Sequence, residues 1–462
     1  MAELAGFPYF EVQFTKQGEP FDRRETAAVL DSVRGGTLGF TTGQGDTHGN
    51  PGVELFVISH GWNNDVAEAR SLYRAFFNQV RRALDAGGAP GLAGRRIAAL
   101  GVLWPAKRFA DEDLIPGGGA SLGGGLDART VRRQLDDLKG TFDQPDEAVL
   151  EQAKQLVSDL ERSPQAQREF VNLIRSVLPR PQDSTDDASD LFFNLPGDEV
   201  LRLLEPPILP VGRPGGGGAA GGGGALSFGL MEEAGALPAG GGAGIGDFFS
   251  GITAAARRLL NYATYYQMKE RAGKIGMSGV HALLRQIKSA NPDLRVHLVG
   301  HSFGGRVVTA AALGPQGSPS VAPASMTLLQ AAFSHNGFAL EFDGRRNGFF
   351  RDVVAKGKIA GPIVITHTVN DRAVGIAYPI ASRIARQDAS DLGDEDDVFG
   401  GIGRNGALHT PEAEPGELLA VGGTYAFVRG KLYNLWADTH ISGHSDVTGP
   451  AVVHAVLSAA SG

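Results

Sequence analysis

Two spacings of apolar side chains alternate along the chain. Val53-Glu54-Leu55-Phe56-Val57-Ile58-Ser59 and the run from Ile97 to Leu103 are short and almost unbroken, as expected for strands buried on both faces of a sheet. Between them, from Val66 to Ala86, Ala67, Leu72, Phe76, Val80 and Leu84 fall near one helical face. Phe7 to Phe14 is aromatic and β-branched and predicts an earlier strand. The same rhythm returns late in the chain. Phe248 to Ser289 predicts two helices, Leu294 to Val299 a strand and Gly304 to Leu313 a helix. Strands follow at Met326–Gln330 and Ile363–Thr368, a strand or hairpin at Tyr425–Trp436, and a closing helix at Gly449–Ser458. Buried strands alternating with helices define an α/β chain with a doubly wound, mostly parallel sheet.

Residues 107–250 break that rhythm. Gly117 to Gly125 is glycine-rich, and amphipathic helical patterns follow near Ala128–Leu138 and over Asp146–Val177. The longer pattern is expected to break at Ser163-Pro164. A proline-rich stretch (Pro206, Pro207, Pro210, Pro214) leads into Gly215–Gly246, whose Gly/Ala composition offers almost no core-forming side chain and reads as a linker. The expected organisation is a core at 1–106 and 251–462, with 107–250 inserted as a helical cap. Leu191-Phe192-Phe193-Asn194-Leu195 and Leu201–Leu204 are read as the cap's own small core in preference to an acyl-binding lining.

Composition narrows the function. Acids number 51 against 43 bases, for a net charge of −8, which argues against nucleic-acid binding through bulk charge. The chain has no cysteine, so thiolate metal sites and a Cys nucleophile are excluded. Neither a signal-peptide pattern nor an apolar run long enough to span a bilayer occurs, giving the expectation of a soluble, cytoplasmic protein.

The sharpest chemical signal is Gly300-His301-Ser302-Phe303-Gly304, a G-x-S-x-G between a predicted strand and a predicted helix. A serine at the tip of such a turn is held in strained geometry, and only small residues two before and two after it avoid a clash. The helix that follows directs its N-terminal N–H groups toward the serine, which favours developing negative charge.

Together with His60-Gly61-Trp62-Asn63-Asn64 after one strand and Trp104-Pro105 after the next, this elbow resembles the α/β-hydrolase superfamily. The likeness covers roughly residues 50–106 and 250–460 and is greatest to bacterial esterase- and lipase-like serine hydrolases. The long insertion before the elbow departs from them. The resemblance implies the chain order Ser, acid, His. Asp371, just past the strand Ile363–Thr368, is the expected acid, with Asp438 and Asp446 as rivals, because Ser334-His335-Asn336 follows the preceding strand. The expected base among 11 histidines is His444, on the loop before the last helix, with His440 as competitor. The oxyanion donors would be the backbone N–H groups of Phe303 and Trp62. His301 is expected to need no catalytic role, and His335 and His367, which end strands on the same sheet edge, to support the site indirectly or be structural.

Other chemistries fit less well. Asp438, His440, His444 and Asp446 crowd together, but without H-E-x-x-H or EF-hand spacing. The glycine-rich stretch lacks the G-K-[ST] of a phosphate loop and does not follow a strand. The expectation is a serine hydrolase acting on a small-molecule ester or acyl substrate with no cofactor. Its rivals are a non-catalytic interaction protein on the same fold, or an amidase, thioesterase or acyltransferase with the same triad.

Overall fold

A computed structural model describes residues 2–34, 52–62, 64–106, 125–180, 189–205, 251–371 and 399–462, with backbone alone at 125–127. The expectations for Gly215–Gly246, the prolines from 206 to 214, nearly all of Gly117–Gly125, and Asn63 lie outside these residues. The chain divides into two compact units. One comprises Met1–Ala106, Arg271–Val374 and Gly401–Gly462; the other comprises Lys107–Glu270 and Gly375–Gly400.

The first unit begins with strands β1 (Ala2–Leu4) and β2 (Phe7–Gln13), helix α1 (Arg23–Arg34), strand β3 (Val53–Ser59), helix α2 (Val66–Asp85) and strand β4 (Arg96–Leu103). In the second unit lie α3 (Gly125–Asp137), α4 (Glu147–Leu156), α5 (Pro164–Ser176), α6 (Ser189–Asn194) and α7 (Gly197–Leu204). Helix α8 (Ile252–Lys274) contains the division between the units and continues through a π-helical turn (Ile275–Val280) into α9 (His281–Ala290). Then come β5 (Arg295–His301), α10 (Phe303–Leu313), β6 (Ser325–Leu329), α11 (Arg351–Ala355), β7 (Ile363–His367), α12 (Ile402–Asn405), β8 (Ala413–Glu417), β9 (Leu432–Trp436) and α13 (Pro450–Ala460).

The strands form one sheet in the order β1-β2-β4-β3-β5-β6-β7-β9-β8, parallel throughout except for the β1–β2 pair. This is an α/β architecture with a mostly parallel sheet flanked by helices, compatible with double winding. Alternation along each strand divides its side chains between two faces. Phe56, Ile58, Ala99, Val299, Leu329, Val364 and Leu435 belong to the core shared with Tyr73, Phe76 and Phe77 of α2 and with Val452 and Val456 of α13. Toward the other face α10 is buried all round, and its Thr309 hydroxyl lies 3.8 Å from the Met326 sulfur. Because β3 is followed by β4 on one side and the later β5 pairs on its other side, the order reverses between β3 and β5. Ligands of open α/β sheets bind in the crevice at the carboxyl ends of such strands.

The predicted break at Ser163-Pro164 is present: the Ser163 side chain accepts from the Ala166 N–H at 3.2 Å, and Pro164 opens α5. Within the second unit, Phe192 is fully buried edge-on to Tyr262, with ring centroids 5.0 Å apart, while Leu201 and Leu204 are buried on α7, which packs on α5. Phe192, Leu201 and Leu204 are thus internal core, whereas Leu191 is exposed.

The expectation of a strand or hairpin over Tyr425–Trp436 needs correction, since only Leu432–Trp436 is a strand and its partner β8 is parallel. Aromatic side chains supply the reason. The Tyr425 hydroxyl accepts from the Leu419 N–H at 2.7 Å and the Tyr433 hydroxyl from the Val428 N–H at 2.8 Å, so backbone donors are satisfied without a ladder. β8, Ala-Glu-Pro-Gly-Glu, escapes apolar patterning, and its proline is tolerated because the strand lies at the sheet edge.

Candidate active site

At the carboxyl end of β5 the chain turns sharply into α10, and Ser302 stands at the turn with φ 57° and ψ −127°. A non-glycine residue held there is strained, and such strain persists only where the surroundings enforce it. The Ser302 N–H donates to the Leu329 carbonyl at 3.1 Å, and its carbonyl accepts from the N–H groups of Gly305 at 2.9 Å and Ala332 at 3.0 Å. Glycine permits the crowding: a Cβ on Gly304 would run into the Ser59 and His60 carbonyls at the end of β3, and one on Gly300 would meet the Gly304 backbone. Ser302 is 1% exposed, and its hydroxyl makes no hydrogen bond among the described residues. Phe303, as first residue of α10, has an N–H without an intrahelical acceptor.

The segment after β3 lies against this turn. A Cβ on Gly61 would come within 2.6 Å of the Ser302 Cβ and 3.0 Å of its Oγ. Side chains fix the Gly61–Trp62 peptide. Its carbonyl accepts from His60 Nδ1–H at 2.9 Å and from the Asn64 amide at 3.4 Å, and that amide also donates to the Trp62 carbonyl at 3.2 Å. In a trans peptide the N–H points opposite to the C=O, so holding the Gly61 carbonyl also aims the Trp62 N–H. His60 is itself held, since its Nε2 accepts from the Trp104 N–H at 3.2 Å and its carbonyl from the Trp104 indole at 3.0 Å. Burial depresses the His60 pKa to about 4, keeping the ring neutral with the proton on Nδ1. The Trp62 and Phe303 rings meet edge-on at 6.2 Å.

Asp371 and His444 are brought together. The His444 ring Nδ1 donates to Asp371 Oδ2 at 2.8 Å, with the carboxylate fully buried and the histidine 5% exposed. Asp371 sits in a turn just after β7, its N–H donating to the Thr368 carbonyl at 3.1 Å. The rival carboxylates are engaged elsewhere. Asp438 accepts from the Thr368 hydroxyl at 2.6 Å and the Val369 N–H at 3.1 Å, whereas Asp446 accepts from the Ser442 N–H and hydroxyl at 3.1 and 2.8 Å. Asn370 adds donors to the Asp438 and Ile441 carbonyls at 3.2 and 2.9 Å, lacing the Asp371 turn to the His444 loop. With their side chains thus distributed, Asp438, His444 and Asp446 do not converge on a shared point, and among the described residues no group of His and carboxylate side chains is arranged to hold a metal.

His301 links the His444 loop to the serine turn. Its Nε2–H donates to the His444 carbonyl at 2.9 Å, and the two imidazoles lie 4.9 Å apart. Burial, reinforced by the neighbouring His444, lowers the His301 pKa to about 3. His335 and His367 serve other contacts. His335 Nδ1 pairs with the Asn405 amide at 3.1 Å, and His367 stands edge-on to Trp436 at 5.4 Å.

Gln330 was not singled out by its sequence. It directly follows β6 at φ 43°, fully buried, and donates to the Gly403 carbonyl at 2.8 Å and to Asp371 Oδ2 at 3.4 Å. Its amide oxygen accepts from the Thr366 hydroxyl at 2.8 Å. The available signal was a polar residue closing an otherwise apolar strand. Compared with protein-family models, curated proteins and solved structures, the chain matches none.

Proposed function

We propose that the protein is a serine hydrolase of α/β-hydrolase type that cleaves carboxylic esters through an acyl-enzyme. The observation that carries this is the His444–Asp371 hydrogen bond on a loop fastened to the residue preceding a strained, buried serine. The sheet's reversal point between β3 and β5 supports it, because Gly61 and Ser302 follow those two strands and meet there.

In this mechanism the Ser302 hydroxyl attacks the ester carbonyl carbon while His444 Nε2 takes its proton. Asp371 holds the other ring nitrogen, fixing the tautomer and stabilising the imidazolium without accepting the proton. The negative charge on the tetrahedral oxygen is met by the N–H groups of Phe303, at a helix N-terminus, and Trp62, whose peptide His60 and Asn64 hold. His444 then protonates the departing alcohol. Water attacks the acyl-serine with His444 again as base, releasing the acid and restoring Ser302. The residues invoked need no cofactor for these steps.

The test is labelling of wild type and Ser302→Ala with a fluorophosphonate, read by intact mass, followed by turnover of a p-nitrophenyl ester series. One adduct on wild type, none on the variant, and a loss of turnover on the order of 10⁶-fold are expected. No adduct on folded wild type would overturn the proposal and favour an interaction role.

A further inference from the structure

His301 occupies the position of the serine motif whose side chain is open to variation, yet its Nε2 is engaged by a specific backbone partner. Resting on the serine-hydrolase reading above, we infer that His301 is a positioning residue: its Nε2–H, bonded to the His444 carbonyl at 2.9 Å, fixes the base's backbone relative to Ser302.

The geometry requires such a tie. Asp371 restrains only the far nitrogen of the His444 ring, and a hydrogen bond to one nitrogen leaves the ring able to swing with its loop. That loop, Ile441 to Val447, lies outside any helix or strand, so its own ladder does not fix it. Asn370 ties the start of that loop at the Ile441 carbonyl, and the bond from His301 holds it at the backbone of the base itself. Because Ser302 directly follows His301 in the chain, base and nucleophile are then referenced to the same turn. The misplacement avoided is of the kind that costs about 10²-fold for 1 Å.

Two further features distinguish this from packing. His301 Nδ1 is buried and has no hydrogen-bond partner among the described residues. Leaving a buried acceptor unsatisfied is costly, so an apolar side chain would serve a purely structural role better. The ring also stays neutral over the whole range in which a histidine base can work, with its pKa near 3 from burial and from His444. It therefore remains a donor toward the carbonyl at Nε2 without placing a second positive charge beside the imidazolium that forms on His444.

The experiment compares full-length wild type, His301→Met and His301→Gln. Glutamine places an amide N–H near the imidazole Nε2, whereas methionine fills similar space without a donor. For each protein the rate of fluorophosphonate labelling, kcat and KM on a p-nitrophenyl ester, and the melting temperature are measured. The expected result is a fall in kcat and labelling rate of about 10–10²-fold in His301→Met, with KM little changed, and recovery of most of that loss in His301→Gln. Labelling and kcat equal to wild type in a folded His301→Met would overturn the inference while leaving the hydrolase reading intact. An equal loss in both variants, tracking melting temperature, would also overturn it. Should the methionine variant not fold, His301→Gln still decides, because a folded glutamine variant as slow as Ser302→Ala contradicts a role that an amide donor can fill. Failure of wild type itself to label removes the hydrolase reading, an outcome the other results cannot mimic.

Discussion

The two ends of β5 carry the same chemical partnership in opposite settings. Near the amino end, His297 Nε2 donates to the wholly buried Glu54 at 2.6 Å, and its Nδ1 accepts from the Ser325 hydroxyl at 2.8 Å. Glu54 also pairs with Arg95 and, at 3.5 Å, with Arg295. Histidine, carboxylate and serine are all present, but the serine is spent on the ring and the carboxylate is saturated by cations. At the carboxyl end, His444 holds Asp371 at 2.8 Å, while the Ser302 hydroxyl has no hydrogen-bond partner among the described residues. The difference lies in placement. The first set is on facing strand interiors, where the ladder fixes every Cα; the second is on loops and turns beyond the strand ends, where a substrate has access in folds of this kind. A histidine, a carboxylate and a serine in contact therefore do not by themselves mark a catalytic site. On the reading proposed above, what sets the second set apart is a serine held in a strained left-handed turn with its hydroxyl unspent, beside a buried His–Asp pair.

The largest effects separate the two sets. His444→Ala is expected to lower kcat on a p-nitrophenyl ester by on the order of 10⁶-fold and also to cost stability, because the fully buried Asp371 loses its ring partner. His297→Ala should cost stability for the same reason at Glu54, which keeps Arg95 and Arg295, but leave kcat within a small factor of wild type. If both variants lost activity equally, the contrast between the two ends would fail.

A smaller effect tests the choice of acid. Asp371→Asn should preserve size but favour the wrong His444 tautomer, reducing kcat by about 10⁴-fold. Asp438→Asn keeps an oxygen that accepts from Thr368 and Val369 and is expected to leave kcat near wild type. A 10⁴-fold loss in the Asp438 variant and none in the Asp371 variant would reverse their assignments.

How far the site was legible in the sequence follows from the same contrast. Ser302 could be picked out from its motif between a strand and a helix, and Asp371 and His444 from their places after strands once the resemblance implied the order Ser, acid, His. The sheet order could not be read, since pairing of β3 with β5 joins segments separated by the whole insertion. Nor could the supporting contacts. His301 was set aside because a motif position open to any residue gives no clue that its side chain reaches a loop far along the chain. Gln330 hid at the end of an apolar run, just after β6, and its link to Asp371 depends on a left-handed backbone that local sequence does not demand. Patterning reports an element's ends and faces; it says little about which polar side chains meet across elements.

The smallest effect concerns acid stability and applies to both ends at once. Burial lowers the pKa of His60 to about 4 and of His301 to about 3 from the ordinary value of 6.5, and it also lowers that of His297. Below about pH 6.5 the unfolded chain therefore takes up protons on these rings that the folded chain refuses. Their contribution to stability is complete above that pH and is lost as pH falls through the folded values, at up to about 1.4 kcal/mol per pH unit for each ring. Unfolding free energy measured by urea from pH 7 to pH 4.5 should decline, and the decline should be shallower by about one proton in His301→Met and shallower also in His297→Ala. The carboxyl-end and amino-end variants are predicted to flatten the profile in the same direction while differing in kcat at every pH, which separates proton linkage from catalysis. A profile in His301→Met as steep as wild type would mean that the ring is protonated in the folded protein, and its part in holding His444 would then have to be assigned to a cation instead of a neutral donor.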